Sequence, residues 1–159
     1  MQDKQHLALP SPEATAALAR RLAPALKPGD VLLLEGPIGA GKTHFARALI
    51  QALLAEPEDV PSPTFTLVQT YETADGAEIW HADLYRLTDP SEVMELGLDA
   101  AFDSAICLVE WPDRLGEEAP EDALHLTFSG TEDEEARALV LQGPARWSAL
   151  LQELGRADD

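Results

Sequence analysis

The most specific chemistry in the sequence is carried by eight residues. Gly36-Pro37-Ile38-Gly39-Ala40-Gly41-Lys42-Thr43 fits the pattern G-x-x-x-x-G-K-[ST]. Glycines at 36, 39 and 41 let the backbone curl, so that the N–H groups from Gly36, Ile38, Gly39, Ala40 and Gly41 can point inward at phosphate oxygens. A helix beginning near Lys42 adds the positive end of its dipole. Lys42 then reaches the β- and γ-phosphates, and the Thr43 hydroxyl ligates Mg²⁺. The chain holds only three lysines, Lys4, Lys27 and Lys42, and one of them stands where the pattern requires it. A chance match is on the order of one in a thousand by composition, so nucleoside triphosphate binding is the expected chemistry.

The base follows from two absences. Guanine-specific loops of this class use N/T-K-x-D, and this chain has no asparagine and no lysine after Lys42. ATP is therefore the expected nucleotide, with Ser11 and Pro12, before the first helix, as a candidate adenine contact.

Such a site needs a carboxylate at the end of a buried strand. AICLVE ends in Glu110 and EIWHAD ends in Asp83. One would hold Mg²⁺ with Thr43 while the other positions the attacking water or senses the γ-phosphate; the plainer alternative for either is a solvated acid at a strand end. Ser62-Pro63-Thr64-Phe65-Thr66 is either a switch segment, whose hydroxyls, Thr64 among them, can reach Mg²⁺ or the γ-phosphate, or a proline-rich connector. Trp111 is read either as a ring packed over the site or, following base rates, as a core aromatic. Cys107 reads as a small core residue. His6, His44, His81 and His125 show no ligand spacing, and are taken as structural or surface residues with no metal assigned to them.

These groups need elements to hold them. Ser11 is an N-cap followed by Pro12 at the first helical position, and apolar residues from Ala14 to Leu26 recur at helical spacing, with Pro24 expected to end or kink that helix. His6–Leu9 and Val31–Glu35 are expected strands, and Thr43–Ala55 an amphipathic helix. Thr66–Glu72 and Glu78–Asp83 form a hairpin through Ala74-Asp75-Gly76. A helix starts near Thr88–Glu92 and stops at Gly97. Ala105–Glu110 is a buried strand, Ala123–Ser129 and Ala136–Gln142 pair, and Arg146–Leu154 closes the chain as a helix. Alternating strands and helices followed by hairpins predict an α/β three-layer domain with a mixed central β-sheet, spanning 1–159 as a single unit.

Composition bounds the rest. The chain has 159 residues, 45% hydrophobic, with 29 acidic and 11 basic side chains and a net charge of −18. That charge opposes direct gripping of nucleic acid or an anionic membrane. No apolar run reaches the roughly 18 residues of a membrane span. The start, MQDKQHLALPSPEA, carries no signal-peptide pattern, and one cysteine offers no internal disulfide, so a cytoplasmic setting is expected. The charge is uneven: residues 1–60 hold 7 acidic and 6 basic side chains, residues 61–159 hold 22 and 5. The acidic half is either a docking surface for a basic partner or an ordinary solvated face.

Four motifs in order, GPIGAGKT, SPTFTLVQTY, HADLYRL and AICLVEWPDRL, resemble the TsaE family, P-loop ATPases of threonylcarbamoyladenosine (t6A) synthesis in bacterial tRNA. The resemblance runs from about Leu7 to Leu141. It implies a P-loop NTPase-like sheet flanked by helices, ATP and Mg²⁺ as ligands, and weak hydrolysis by the chain alone. It implies two glycoprotease-like partners, a transferase and its scaffold paralogue, with tRNA held only through them. Carried over by motif, Lys42 and the loop amides bind phosphates, Thr43 and Glu110 hold Mg²⁺, and Asp83 serves hydrolysis. Thr64 lies in the switch-like segment, and Trp111 supports the site and its coupling to the partner. His44 and Phe65 depart from the common family residues without touching the expected ligands. Two other functions use the same loop: a small-molecule or nucleoside kinase, and a non-catalytic nucleotide-gated interaction module. A kinase needs basic residues for a lid, and only Arg86, Arg114, Arg137, Arg146 and Arg156 follow the glycine-rich loop's helix.

Overall fold

Val31–Glu35 (β2) is the strand around which the molecule is organised. Its VLLLE run is apolar on both faces, the mark of a strand buried in a parallel sheet. It pairs in parallel with Ile106–Glu110 (β5) on one side and Leu124–Gly130 (β6) on the other. Glu78–Asp83 (β4) runs parallel to β5, and Val68–Glu72 (β3) closes that edge as an antiparallel hairpin strand. On the other side, Arg137–Pro144 (β7) is antiparallel to β6, and Gln2–Leu9 (β1) is antiparallel to β7. Among the described residues of this computed structural model (2–37, 41–54, 68–85, 89, 91–133 and 136–157), seven strands form one mixed sheet in the order β1-β7-β6-β2-β5-β4-β3.

The faces of the sheet follow from the two-residue period of its strands. Leu32, Leu34, Ile79, Ile106 and Leu108 pack against Leu18 and Leu22 of the helix Pro12–Leu22 (α1) and Phe45, Leu49 and Ile50 of the helix Lys42–Leu53 (α2). Val31, Leu33, Ala82, Cys107 and Val109 face the other way, onto Leu98 and Phe102 of Leu98–Ser104 (α4). Each fully buried leucine here contributes about 1.5–3 kcal/mol of apolar transfer free energy. The expected three-layer α/β architecture is therefore found, with the apolar alternation assigning each strand its two faces. Cys107 is a core residue, its thiol pushed up to about 12 by burial.

Local signals mark the helix ends. The Ser11 side chain accepts from the Ala14 amide at 3.2 Å, and Pro12 occupies the first turn of α1. Pro24 does interrupt the helix, which tightens into a 3-10 turn over Ala23–Ala25. Two boundaries are corrected and one helix is added. The first strand begins at Gln2 rather than His6, because the whole segment Gln2–Leu9 finds partners along β7. The helix expected to stop at Gly97 does so, as the short Glu92–Leu96 (α3), and Gly97, at φ 85°, leads directly into α4, a helix not expected from the sequence. The closing helix begins at Ser148 (α5, Ser148–Ala157), since Ala145–Trp147 forms a 3-10 turn.

Candidate functional site

The charged residues converge at the carboxyl ends of the central parallel strands, the edge where open α/β sheets bind ligands. Glycine at 36 is dictated by space. As the chain leaves β2, Gly36 takes φ 145°, and a Cβ there would sit 2.6 Å from the Phe128 carbonyl oxygen on β6. Gly41 takes φ 99° and precedes α2 with no capping side chain, so the helix's first N–H groups remain free of a side-chain cap. Ile38, Gly39 and Ala40 lie outside the described residues, as does Thr64 with all of 55–67.

Lys42 opens α2 and points back toward Gly36. Its Nζ donates to the Gly36 carbonyl at 2.6 Å and lies 3.6 Å from the centre of the Trp111 ring. Burial to 4% exposure lowers its pKa, and the negative charges of Glu110, Asp83 and Asp113 oppose that shift. Trp111 is thus the ring over the site, not the core aromatic that base rates favoured. Its backbone sits at φ 60°, ψ 54°, and among the described residues it alone of the non-glycines has positive φ. The left-handed region costs an L-residue about 1–2 kcal/mol, and Pro112 behind it already disfavours the right-handed helical alternative. A bond from the Trp111 amide to the Leu34 carbonyl, 3.3 Å, ties this turn to the end of β2. Exposed Tyr85 meets the same ring at a tilt of 51°, 4.9 Å between centroids.

The two candidate carboxylates are register neighbours, Asp83 ending β4 and Glu110 ending β5. Glu110 is 2% exposed, and its Oε1 accepts from the Thr43 hydroxyl at 2.7 Å. Asp83 accepts from the Tyr85 amide at 3.1 Å. Burial raises the Asp83 pKa from its ordinary value, with the Glu110 charge adding to it; the Tyr85 amide, His81 and Lys42 pull the other way. Glu110 is therefore the carboxylate joined to Thr43, and Asp83 stands beside that pair.

One residue read as structural belongs to this site. His81 is fully buried, and its Nε2 lies 2.7 Å from Glu110 Oε2. The usable signal was alternation: two positions before Asp83, it shares Asp83's face of β4. His44 fits its reading as a structural or surface residue: it is exposed, and its Nε2 lies 2.9 Å from the Pro12 carbonyl, tying α2's first turn to the Ser11–Pro12 segment.

The donor set suits a phosphate–magnesium ligand. A threonine hydroxyl and two carboxylates are hard oxygen donors beside a buried ammonium and a helix N-terminus. Among the described residues no group of three or more His, Cys, Asp or Glu forms a complete metal cage. Mg²⁺ commonly takes one or two carboxylates and completes its shell with phosphates and water.

A family model described as "Threonylcarbamoyl adenosine biosynthesis protein TsaE" matches residues 9–139. The chain is 39% identical over 151 residues to a Bacillus subtilis protein named "tRNA threonylcarbamoyladenosine biosynthesis protein TsaE", covering 94% of this chain and 92% of that one. A Rickettsia felis protein of the same name is 46% identical over 107 residues, which span 67% of this chain and 62% of the relative. The match therefore spans less than two thirds of that relative's length. A crystal structure of Bacillus subtilis YdiB superposes with a TM-score of 0.80 at 32% identity, covering 100% of this chain and 99% of the other.

Proposed function

The chain belongs to the TsaE family, and on that premise we propose that it is an ATPase serving threonylcarbamoyladenosine synthesis on tRNA. The observation that carries the reading is the hydrogen bond from Thr43 to Glu110, set at the start of α2 beside Asp83 and Lys42. It joins the residue types for metal, phosphate and water at one sheet edge.

In this reading the amides of Gly36, Ile38, Gly39, Ala40 and Gly41, together with the α2 dipole, hold the phosphate chain. The Lys42 ammonium leaves the Gly36 carbonyl and neutralises charge on the β- and γ-phosphates. Thr43 and Glu110 hold Mg²⁺, which when bound neutralises charge developing on the phosphates. Asp83 orients a water and receives its proton as the oxygen bonds to the γ-phosphorus and the bond to the β-bridging oxygen breaks. The products are ADP and inorganic phosphate. Thr64 approaches the γ-phosphate from the switch-like segment, Ser11 and Pro12 border the adenine, and Trp111 shields Lys42 from water. Two glycoprotease-like partners, one with the transferase site and one its scaffold, contact this assembly and hold the tRNA. A cytoplasmic setting belongs to the same reading; among the described residues no helix is long and apolar enough to cross a membrane.

The test is phosphate release from ATP by the chain alone and with both partner proteins and tRNA. Slow turnover alone and stimulation by the partners are expected. Lys42→Ala should lower the rate by roughly 10³-fold, as loss of a transition-state charge donor does. An unchanged rate on adding the partners overturns the coupling. Transfer of phosphate to an acceptor instead of water turns the reading to a kinase, and ATP binding without release turns it to a nucleotide-gated module.

A further inference from the structure

We propose that His81 is a positioning residue that orients the Glu110 carboxylate for Mg²⁺, an inference that rests on the ATPase reading. The two oxygens of Glu110 are engaged from different elements. Thr43 of α2 donates to Oε1 at 2.7 Å, and His81 of β4 meets Oε2 at 2.7 Å. Turning the carboxylate breaks one or both bonds. In a site this dry each is worth more than at a surface, because an abandoned buried partner is left without water.

Strand register makes the contact possible. His81 lies opposite Leu108 and Asp83 opposite Glu110. Ile79 and the pair Ile106 and Leu108 share one core beneath α2, so by alternation His81, Asp83 and Glu110 share that face. From one pleat below Asp83, the imidazole reaches diagonally up to Glu110. Glu110 is 2% exposed and His81 0%, so the bond lies in the interior, away from competing water.

The other ring nitrogen decides what His81 contributes. Among the described residues, buried Nδ1 has no hydrogen-bond partner. With the proton on Nε2, the ring donates to the carboxylate, and Nδ1 carries a bare lone pair. With the proton on Nδ1, a buried N–H would lack an acceptor and Nε2 would set a lone pair against Glu110. The Nε2–H tautomer satisfies both constraints. A carboxylate held in this way keeps its remaining lone pairs in a fixed direction, and loss of such outer hydrogen bonds costs metal sites about 10–100-fold in affinity. A buried histidine serving only to fill space would be replaced by leucine without that loss.

The experiment follows binding of a fluorescent ATP analogue to the full chain as Mg²⁺ is added. His81→Leu should need roughly 10–100-fold more Mg²⁺ for the half-maximal effect, with affinity in EDTA unchanged within about twofold. His81→Gln, whose amide nitrogen reaches the place of Nε2, should recover most of the difference. Wild-type Mg²⁺ dependence in His81→Leu overturns the proposal, as does a defect in His81→Gln equal to that of His81→Leu. A second readout needs no variant: ¹⁵N spectroscopy of the nucleotide-free wild type should find the His81 proton on Nε2, and a proton on Nδ1 overturns the proposal even if His81→Leu does not fold. Wild-type protein that binds no Mg²⁺-dependent ATP overturns the ATPase reading itself, a result distinct from a normal wild type with an unaffected His81→Leu.

Discussion

The two ends of the β2–β5 strand pair both bury charge, and they treat it in opposite ways. At the amino end, Asp30 is 4% exposed, and its carboxylate accepts from the Lys27 amide at 2.9 Å and from the Arg146 guanidinium. Arg146 also reaches Asp122 at 3.1 Å and lies over the Trp147 ring. At the carboxyl end, burial lowers the Lys42 pKa and raises that of Asp83, His81 Nδ1 lacks a partner among the described residues, and Trp111 adopts a left-handed backbone. The same sheet thus carries one acid satisfied by its own chain and one set of groups arranged against their own ionisation preferences. The second arrangement costs stability and is retained where a ligand would supply the missing charge and contacts.

Three substitutions break or sharpen this contrast. The largest effect is expected at Asp83. Asp83→Asn should lower ATP turnover by roughly 10²–10⁴-fold, the span typical of losing a positioned base. The same variant should melt a few degrees higher than the wild type without nucleotide. The pH dependence has a fixed sign. The folded chain holds a proton on Asp83 to higher pH than the unfolded chain does, so stability falls as pH rises through that window, and the cost is fully present above it. Thermal melts against pH should lose this component in Asp83→Asn; an unchanged profile would show that burial of Asp83 carries no cost.

Arg146→Ala addresses the opposite end. It removes the charged partner of a buried carboxylate, although Arg146 itself is 41% exposed and its charge is partly screened. A loss of about 1–3 kcal/mol in urea unfolding is expected, with nucleotide affinity and turnover per folded molecule unchanged. A turnover defect as large as that of Asp83→Asn would erase the distinction between the two ends. The smallest effect is expected at the aromatic cover. Trp111→Phe keeps a weaker π face over Lys42 and should raise the Michaelis constant for ATP by about two- to fivefold, in line with about 0.5–1 kcal/mol for a cation–π contact. Equal kinetics in both proteins would confine Trp111 to holding the turn.

Local rules make the sequence legible over short spans. The Ser11-Pro12 start of α1, the parallel β2, the exact run Glu78–Asp83 and the Gly76 hairpin each follow from a propensity or a turn requirement spanning a few residues. Elements whose deciding partner is distant in the chain leave no such local pattern. Residues before His6 look polar until β7 pairs with them, and the short α4 goes unexpected because its apolar residues Leu98, Ala101 and Phe102 find their partners on the distant strands β2 and β5. Histidine spacing along the chain could not reveal His81, whose partner Glu110 is 29 positions away.

Residue types and their order were enough to settle the α/β class, the glycine-rich loop with Lys42 and Thr43, and the acids at two strand ends, because backbone conformation and strand burial impose local patterns. Only the tertiary structure decided that Glu110 rather than Asp83 bonds Thr43, that His81 completes that contact, and that Trp111 covers Lys42. Those choices depend on strand order, register and the left-handed turn at Trp111, which bring side chains from separate elements within hydrogen-bond distance in a nearly water-free space where each contact excludes its alternatives.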